Sequence, residues 1–172
     1  MASTDGIGSL LNIHPTASVS ELADLECSQR GTQIWIGPHS HIDSFVKIKP
    51  VGGIGHVRLG SHTYINSGCV FYSGNGISIG DNVLIAANCT LAPVNHAFSD
   101  PNRLIRAQGF LSSRGGIVIE DDVWIGANCV LLDGAIVRQG CVVGAGSLVR
   151  DELPPYSICR GTPAVPVDMR RK

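Results

Sequence analysis

The sequence predicts an all-β chain wound as a parallel β-helix, and three observations carry that expectation. An aliphatic residue recurs every six positions through Ile119-Glu-Asp-Asp-Val123-Trp, Ile125-Gly-Ala-Asn-Cys129-Val, Leu131-Leu-Asp-Gly-Ala135-Ile, Val137-Arg-Gln-Gly-Cys141-Val and Val143-Gly-Ala-Gly-Ser147-Leu. A small residue follows each of them four positions later, with turn formers in between. The chain has 21 glycines in 172 residues and only 5 % aromatics, which suits many tight turns around a thin aliphatic core. A period of six fits neither the 3.6 of a helix nor simple alternation. It is the signature of short parallel strands stacked as a solenoid.

The coils follow in order from that frame. The first and weakest set is Ile13, Val19 and Leu25, then Ile36, Ile42 and Ile48, then Leu59, Ile65 and Phe71, then Ile79, Ile85 and Leu91. The hexads quoted above supply two more coils. Three hexads close one triangular coil, so about six coils are expected. Their starts are 23, 23, 20, 40 and 18 residues apart. The small excesses over 18 are turn extensions at Gln29–Ile34, Gly53–Arg58 and Gly76–Ser78. The spacing of 40 holds an excursion from Asn95 to Val118. It has Pro101 and Gly109, carries His96, Arg103, Arg106, Gln108 and Arg114, and interleaves Phe98, Ile105 and Phe110. A long loop with apolar residues and no period of its own reads as an ordered, functional arm. From Arg150 onward two prolines break the repeat, and this segment is expected to cap the open end. The tail Met169-Arg-Arg-Lys172 is expected to fray. One domain spans 1–172, with coils at about 13–95 and 117–150, an arm loop at 96–116 and a cap and tail at 151–172.

The net charge of −1 gives no electrostatic case for nucleic acid or an acidic membrane surface. The opening MASTDGIGSLL has no basic, apolar leader pattern and no membrane span, so a soluble cytoplasmic protein is expected. Of six cysteines, Cys69, Cys89, Cys129 and Cys141 fall on the fifth place of a hexad, where Val83, Ala135 and Ser147 also sit. That place wants a small inward side chain, so these read as core thiols. No C-x-x-C pair exists, which weighs against a zinc site. Cys27 and Cys159 lie outside this register.

The run Ile79-Gly-Asp-Asn-Val-Leu-Ile-Ala-Ala-Asn-Cys-Thr-Leu-Ala-Pro-Val-Asn-His96, the arm, and Ile119-Glu-Asp-Asp-Val-Trp-Ile-Gly126 resemble the hexapeptide-repeat acyltransferases. So do Val143-Gly-Ala-Gly-Ser147, Pro154-Pro-Tyr-Ser157 and Gly161-Thr-Pro163. The likeness is to the maltose and galactoside O-acetyltransferases and to the O-acetyltransferases of surface-polysaccharide synthesis. It covers about Leu59 to Val165. It implies a left-handed coil, a hand the period alone does not give and that general crossover rules would oppose. It implies an acetyl-CoA-dependent O-acetyltransferase acting on a sugar or polysaccharide precursor, without a metal, assembled as a homotrimer with sites between subunits.

The resemblance places the family's catalytic histidine at His96. Imidazole titrates near neutrality and can take the hydroxyl proton as oxygen attacks a thioester. Asn66 matches an acceptor-binding asparagine, and the alternative is a corner residue. Arg106 and Gln108 lie in an Ile-Arg-x-Gln-Gly pattern that either grips the acceptor or anchors the arm. For the cofactor, Gly126-Ala127 and Gly144-Ala145-Gly146 are small enough for close approach of a pantetheine. Trp124 and Pro163 match family positions near it. Arg150, Arg160 and Arg170 are the candidate cations for CoA phosphates. Relatives carry Thr-Lys where this chain has Arg150-Asp151, and a small residue at Arg160. They also begin with a helical unit, whereas a coil begins here within Met1 to Gly31.

Three other readings compete. Amino-sugar or antibiotic acetyltransferases would use the same histidine. The γ-class carbonic anhydrases share the scaffold but need three zinc-binding histidines, and none follows His96. A non-catalytic β-helix would need neither His96 nor the arm.

Overall fold

The computed structural model describes residues 10–171, so the opening Met1–Ser9 and the terminal Lys172 lie outside the described residues. Each hexad yields one strand of two or three residues and one turn. The strands stack into three parallel sheets. Sheet A holds Leu11–Ile13, Ile34–Ile36, Val57–Leu59, Ile77–Ile79, Ile117–Ile119, Ile136–Val137 and Glu152–Leu153. Sheet B runs from Ser18–Val19 through His41–Ile42, Tyr64–Ile65, Leu84–Ile85, Trp124–Ile125 and Val142–Val143 to Ser157–Gly161. Sheet C runs from Asp24–Leu25 through Lys47–Lys49, Val70–Tyr72, Thr90–Ala92 and Val130–Leu132 to Leu148–Val149. The chain visits A, B and C in turn and forms a left-handed parallel β-helix.

Register puts the expected inward residues directly above one another. Ile36, Leu59, Ile79, Ile119 and Val137 form the column of sheet A. Ile42, Ile65, Ile85, Ile125 and Val143 form that of sheet B. Ile48, Phe71, Leu91, Leu131 and Val149 form that of sheet C. All are buried, and each such aliphatic side chain contributes about 1.5–3 kcal/mol. Phe71 is the one aromatic ring in this core.

The fifth hexad place does more than accept small side chains. The thiols of Cys69, Cys89 and Cys129 donate to the carbonyls of Ala86, Gly126 and Gly144, each at 3.2 Å in the next coil. Ser40 and Thr63 do the same for Gly60 and Gly80 at the corner between sheets A and B. Corner carbonyls left out of the ladders thus find a donor. Burial pushes the Cys141 thiol up to about 11, as expected for a core thiol and not for a nucleophile.

Two expectations are corrected at the C-terminal end. The repeat does not break at Arg150. Leu153 pairs with Val137 and Cys159 with Val143, so a seventh coil begins, and Cys159 belongs to the inward column of sheet B. The step from Val149 to Leu153 is four residues instead of six, which hides the continuation in the sequence. The chain then turns at Thr162–Pro163, a cis peptide bond, and Ala164–Met169 pairs antiparallel with Ser157–Gly161. Nor is the basic tail frayed at Arg170. Its N–H donates to the Tyr156 carbonyl, and its guanidinium lies 2.8 Å from Asp122.

All the extra length collects at one corner. The loops 26–33, 50–56, 73–76 and the arm 93–116 each join sheet C to sheet A, while the corners from A to B and from B to C keep four residues through the first six coils. They form a ridge along the first four coils. Among the described residues no helix is long and apolar enough to cross a membrane. The one helix among the described residues is Ile105–Gln108, inside the arm.

Candidate active site

The arm is an ordered hairpin at its root. The Ala97 N–H donates to the Gly109 carbonyl and the Leu111 N–H to that of Asn95. His96 forms an antiparallel bridge with Phe110, and the two rings lie 4.7 Å apart at 42°. The imidazole is exposed, and its nitrogens make no hydrogen bond among the described residues. Phe110 packs against the ring.

Two residues that the sequence did not single out as a pair tether the arm's return. Asp133 is 3 % exposed. Its two oxygens accept the N–H groups of Arg114 at 2.7 Å and Gly116 at 2.9 Å. The Arg114 guanidinium continues to Asp151, 2.8 Å away, and to the Arg150 carbonyl. Both are legible only in three dimensions, since 19 residues separate Arg114 from Asp133.

Gln108 anchors the arm, the second of the two roles its pattern left open. Its amide oxygen accepts the Asp100 N–H, and its nitrogen donates to the carbonyls of Asp100 and Arg103. Nearly all of its capacity is spent closing the arm's tip. Arg106, one turn of chain away, is exposed and has no ion pair among the described residues. Asn66 sits at the corner between sheets B and C. Its side-chain oxygen accepts the Ser67 N–H at 2.9 Å, and Asp43 bonds Ser44 in the same way one coil earlier. That repetition marks a corner role, and the amide nitrogen keeps its donors for a ligand. Asn66 enters sheet C in the third coil, while His96 leaves it in the fourth. A single chain therefore sets them at opposite edges of that sheet.

The small residues of the last coils divide into two kinds. Gly126 is buried, and a Cβ there would come within 2.5 Å of the Ala145 nitrogen. It makes room for its own next coil, a packing reason that holds whether or not a cofactor approaches. Ala145 and Gly146 are exposed, Ala127 and Gly144 half-exposed. Trp124 stands on the outer face of sheet B, 53 % exposed, between Leu84 and Val142. Pro163 is exposed at the tip of the terminal hairpin.

The candidate cations separate in the same way. Arg150 is 3.2 Å from Asp151, and Arg170 is held by Asp122 and the Gly140 carbonyl. Arg160 has no such partner among the described residues. It projects from the column above Gly144, where its Cβ would lie 3.2 Å from a Cβ on that glycine. Of the three candidate arginines, Arg160 is the one without a carboxylate partner among the described residues, and it lies beside Gly144. Two cavities of about 310 and 300 Å³ lie on the outer face of sheet A, and neither is lined by His96. No group of three His, Cys, Asp or Glu side chains among the described residues is arranged to hold a metal.

Comparison with known proteins agrees with this architecture. Residues 116–151 match the family described as bacterial transferase hexapeptide (six repeats), and residues 57–93 match the hexapeptide repeat of succinyl-transferase. The chain carries the hexapeptide repeat of these transferase families in both stretches. It is 32 % identical over 165 residues to a probable acetyltransferase of Mycobacterium tuberculosis, covering 96 % of this chain and 50 % of that protein. A putative acetyltransferase of Schizosaccharomyces pombe is 28 % identical over 95 % of this chain and 74 % of its own length. Putative acetyltransferases of Staphylococcus aureus are 37 % identical over 63 % of this chain and 52 % of theirs. The chain thus spans about half the length of several curated relatives that it matches. Among solved structures, AntD, an N-acyltransferase from Bacillus cereus in complex with dTDP-4-amino-4,6-dideoxyglucose and coenzyme A, aligns with a TM-score of 0.79 at 24 % identity. That alignment covers 96 % of this chain and 87 % of that one. A maltose O-acetyltransferase from Clostridium difficile aligns with a TM-score of 0.63 at 21 % identity, over 95 % and 72 %. These likenesses are of fold.

Proposed function

We propose that the chain transfers an acetyl group from acetyl-CoA to a hydroxyl of a sugar or polysaccharide precursor, with His96 as general base. The observation that carries this reading is His96 itself. It is an exposed imidazole with both nitrogens unengaged, set at the root of a tethered arm in a hexapeptide-repeat scaffold. Relatives covering 95–96 % of the chain are named as probable or putative acetyltransferases, which supports the same chemistry.

In the step proposed, a ring nitrogen of His96 takes the hydroxyl proton as that oxygen bonds to the thioester carbonyl carbon. The carbon–sulfur bond then breaks, and the leaving sulfur receives the proton back from the imidazolium. The products are an acetyl ester and free CoA, and no residue is acylled on the way. The exposed backbone of Ala145 and Gly146 suits an extended pantetheine, Trp124 offers an apolar flank, and Arg160 offers a free cation for phosphate.

A homotrimer completes the reading. His96 has no polar orienting partner among the described residues, and Asn66 lies at the far edge of sheet C. The arm leaves Phe98, Leu104, Ile105 and Phe110 exposed, and sheet B exposes Tyr64, Leu84 and Trp124 as a ladder. Apolar surface of this extent fits a neighbouring subunit that supplies the missing wall. A second reading is acyl transfer to an amino sugar by the same residues, and the alignment with AntD over 96 % of the chain favours keeping it in view.

The test is release of CoA from acetyl-CoA across a panel of oligosaccharides, activated sugars and amino sugars. Hydroxyl acceptors should support turnover that stops when His96 is replaced. Turnover confined to amino sugars would favour the second reading, and no CoA release with any acceptor would remove the first.

A further inference from the structure

The outer face of sheet A carries a cluster for which acyl transfer at His96 has no use. Trp35, Arg58 and Ser78 take the same outward place in the second, third and fourth coils. The Arg58 guanidinium carbon lies 3.8 Å over the centroid of the Trp35 ring. The His56 ring meets Trp35 edge-on, 5.2 Å between centroids at 89°. The main-chain N–H of Gln33 donates to His56 Nδ1 at 3.1 Å. An accepting Nδ1 leaves the proton of the neutral ring on Nε2, so His56 presents a donor.

Arg58 differs from the structural arginines of this chain. Arg114, Arg138, Arg150 and Arg170 each have a carboxylate within 3.2 Å. Arg58 has none among the described residues, yet it is held in place by Trp35. A guanidinium with its rotamers already restricted loses less entropy when its fork closes on an anion.

His56 and Arg58 are among the residues lining a cavity of about 300 Å³. Asn75, Gly76, Ser78 and Gly115 are among its other walls, and no carboxylate lines it. The turn extensions build it. His56 ends loop 50–56, Asn75 and Gly76 belong to loop 73–76, and Gly115 to the arm's return. The cavity also adjoins the arm's root. The Asn75 N–H donates to the carbonyl of Pro93, three residues before His96.

We propose that this cavity binds a phosphate ester of the acyl acceptor, with Arg58 forked on its oxygens and His56 Nε2 and the Asn75 amide donating beside it. The acceptor is then a sugar phosphate or a nucleoside-diphosphate sugar. A phosphate of CoA would share the chemistry. The place argues for the acceptor, because Ala145 and Arg160 lie in the last coils at the corner between sheets B and C, away from this face. The word acceptor rests on the acetyltransferase reading, and the anion site does not.

The test is calorimetric titration of the full chain with uridine diphosphate, inorganic phosphate and CoA, for the wild type, Arg58→Ala and Arg58→Lys. Arg58 is exposed, so a melting curve like that of the wild type should accompany each variant. Uridine diphosphate should bind and weaken with added salt. Arg58→Ala should weaken it by about tenfold or more, and Arg58→Lys by less, since the ammonium keeps the charge and loses the fork. Inorganic phosphate should compete, and CoA affinity should not change. Undetectable binding of uridine diphosphate at millimolar concentration, or equal binding by Arg58→Ala, would overturn the proposal. Loss of CoA affinity alone in Arg58→Ala would also overturn it, by assigning the cavity to the donor. Arg58-dependent binding of uridine diphosphate by a chain that neither binds nor uses acetyl-CoA would uphold the anion site and remove the acetyltransferase reading.

Discussion

Replacing Asp133 by asparagine tests how the arm is held against the coil stack. The carboxylate is buried and accepts two main-chain N–H groups, from Arg114 and Gly116, at 2.7 and 2.9 Å. Asparagine keeps one acceptor oxygen and turns the other into an NH₂ group aimed at a donor. One charge-assisted bond is lost, about 1.5–3 kcal/mol, and a buried donor is left unpaired at about 1–3 kcal/mol more. The remaining tether, Arg114 to Asp151, is an exposed pair of little worth. The loss falls on the arm's return more than on the inward columns, which keep all their contacts. Local opening should therefore become easier by at least about 2.5 kcal/mol, close to a hundredfold at 1.4 kcal/mol per factor of ten. Native-state hydrogen exchange reads this directly. The amides of Arg114 and Gly116 should exchange about a hundredfold faster, while those of Ile85 and Ile125 change little. CoA release should fall, because the arm root carries His96. Exchange at Arg114 and Gly116 within about threefold of the wild type would refute the tether.

Four further outcomes are expected. Ile125→Asp places an unpaired carboxylate in a fully buried column and should cost several kcal/mol, measured by chemical denaturation. Glu120→Gln breaks a 2.7 Å pair with Arg138 and weakens a bond from the Gln139 N–H, so it should lower the melting temperature by about a degree or two, the scale of an exposed ion pair. Hydrogen bonds to the Arg138 guanidinium hold the carboxyls of Glu120 and Glu152 below their ordinary value of 4.5. The folded state then binds fewer protons than the unfolded one, so their small contribution is complete above about pH 4.5 and lost as pH falls below it. A melting temperature that falls instead between pH 8 and pH 6 would need another cause. For the homotrimer proposed above, joint replacement of Phe98 and Phe110 by serine should shift sedimentation from three chain masses toward one and raise the acceptor KM, leaving the β-sheet circular dichroism in place.

The period of six made the fold legible, because a solenoid repeats one packing problem and writes it into the sequence each time. The inward columns from Ile36 to Val149 stand where the spacing put them. The seventh coil was hidden by a step of four residues at Val149–Leu153, and with it the place of Cys159. The arm was visible as an interruption, and His96 as a motif residue at its start. What those side chains bond to was not visible. Gln108 and Asn66 both spend side-chain atoms on nearby backbone, which their residue types allow but their spacing does not announce. Gly126 is small for the sake of the next coil, 19 residues further on. The pairings of Arg150 and Arg170, and the freedom of Arg160 and Arg58, depend on which carboxylates the stacking brings near. The lone cluster of Trp35, His56 and Arg58 spans two coils and a loop, so no local motif records it.

The most direct test of the central claim is steady-state release of CoA from acetyl-CoA by His96→Ala, in the presence of an acceptor that the wild type uses. His96 is exposed and its ring makes no hydrogen bond among the described residues, so the melting temperature should stay close to that of the wild type. Turnover should fall by at least about 100-fold, the usual scale for loss of a general base. Turnover within about threefold of the wild type, in a variant that still melts like it, would contradict the assignment of His96 and the reaction built on it.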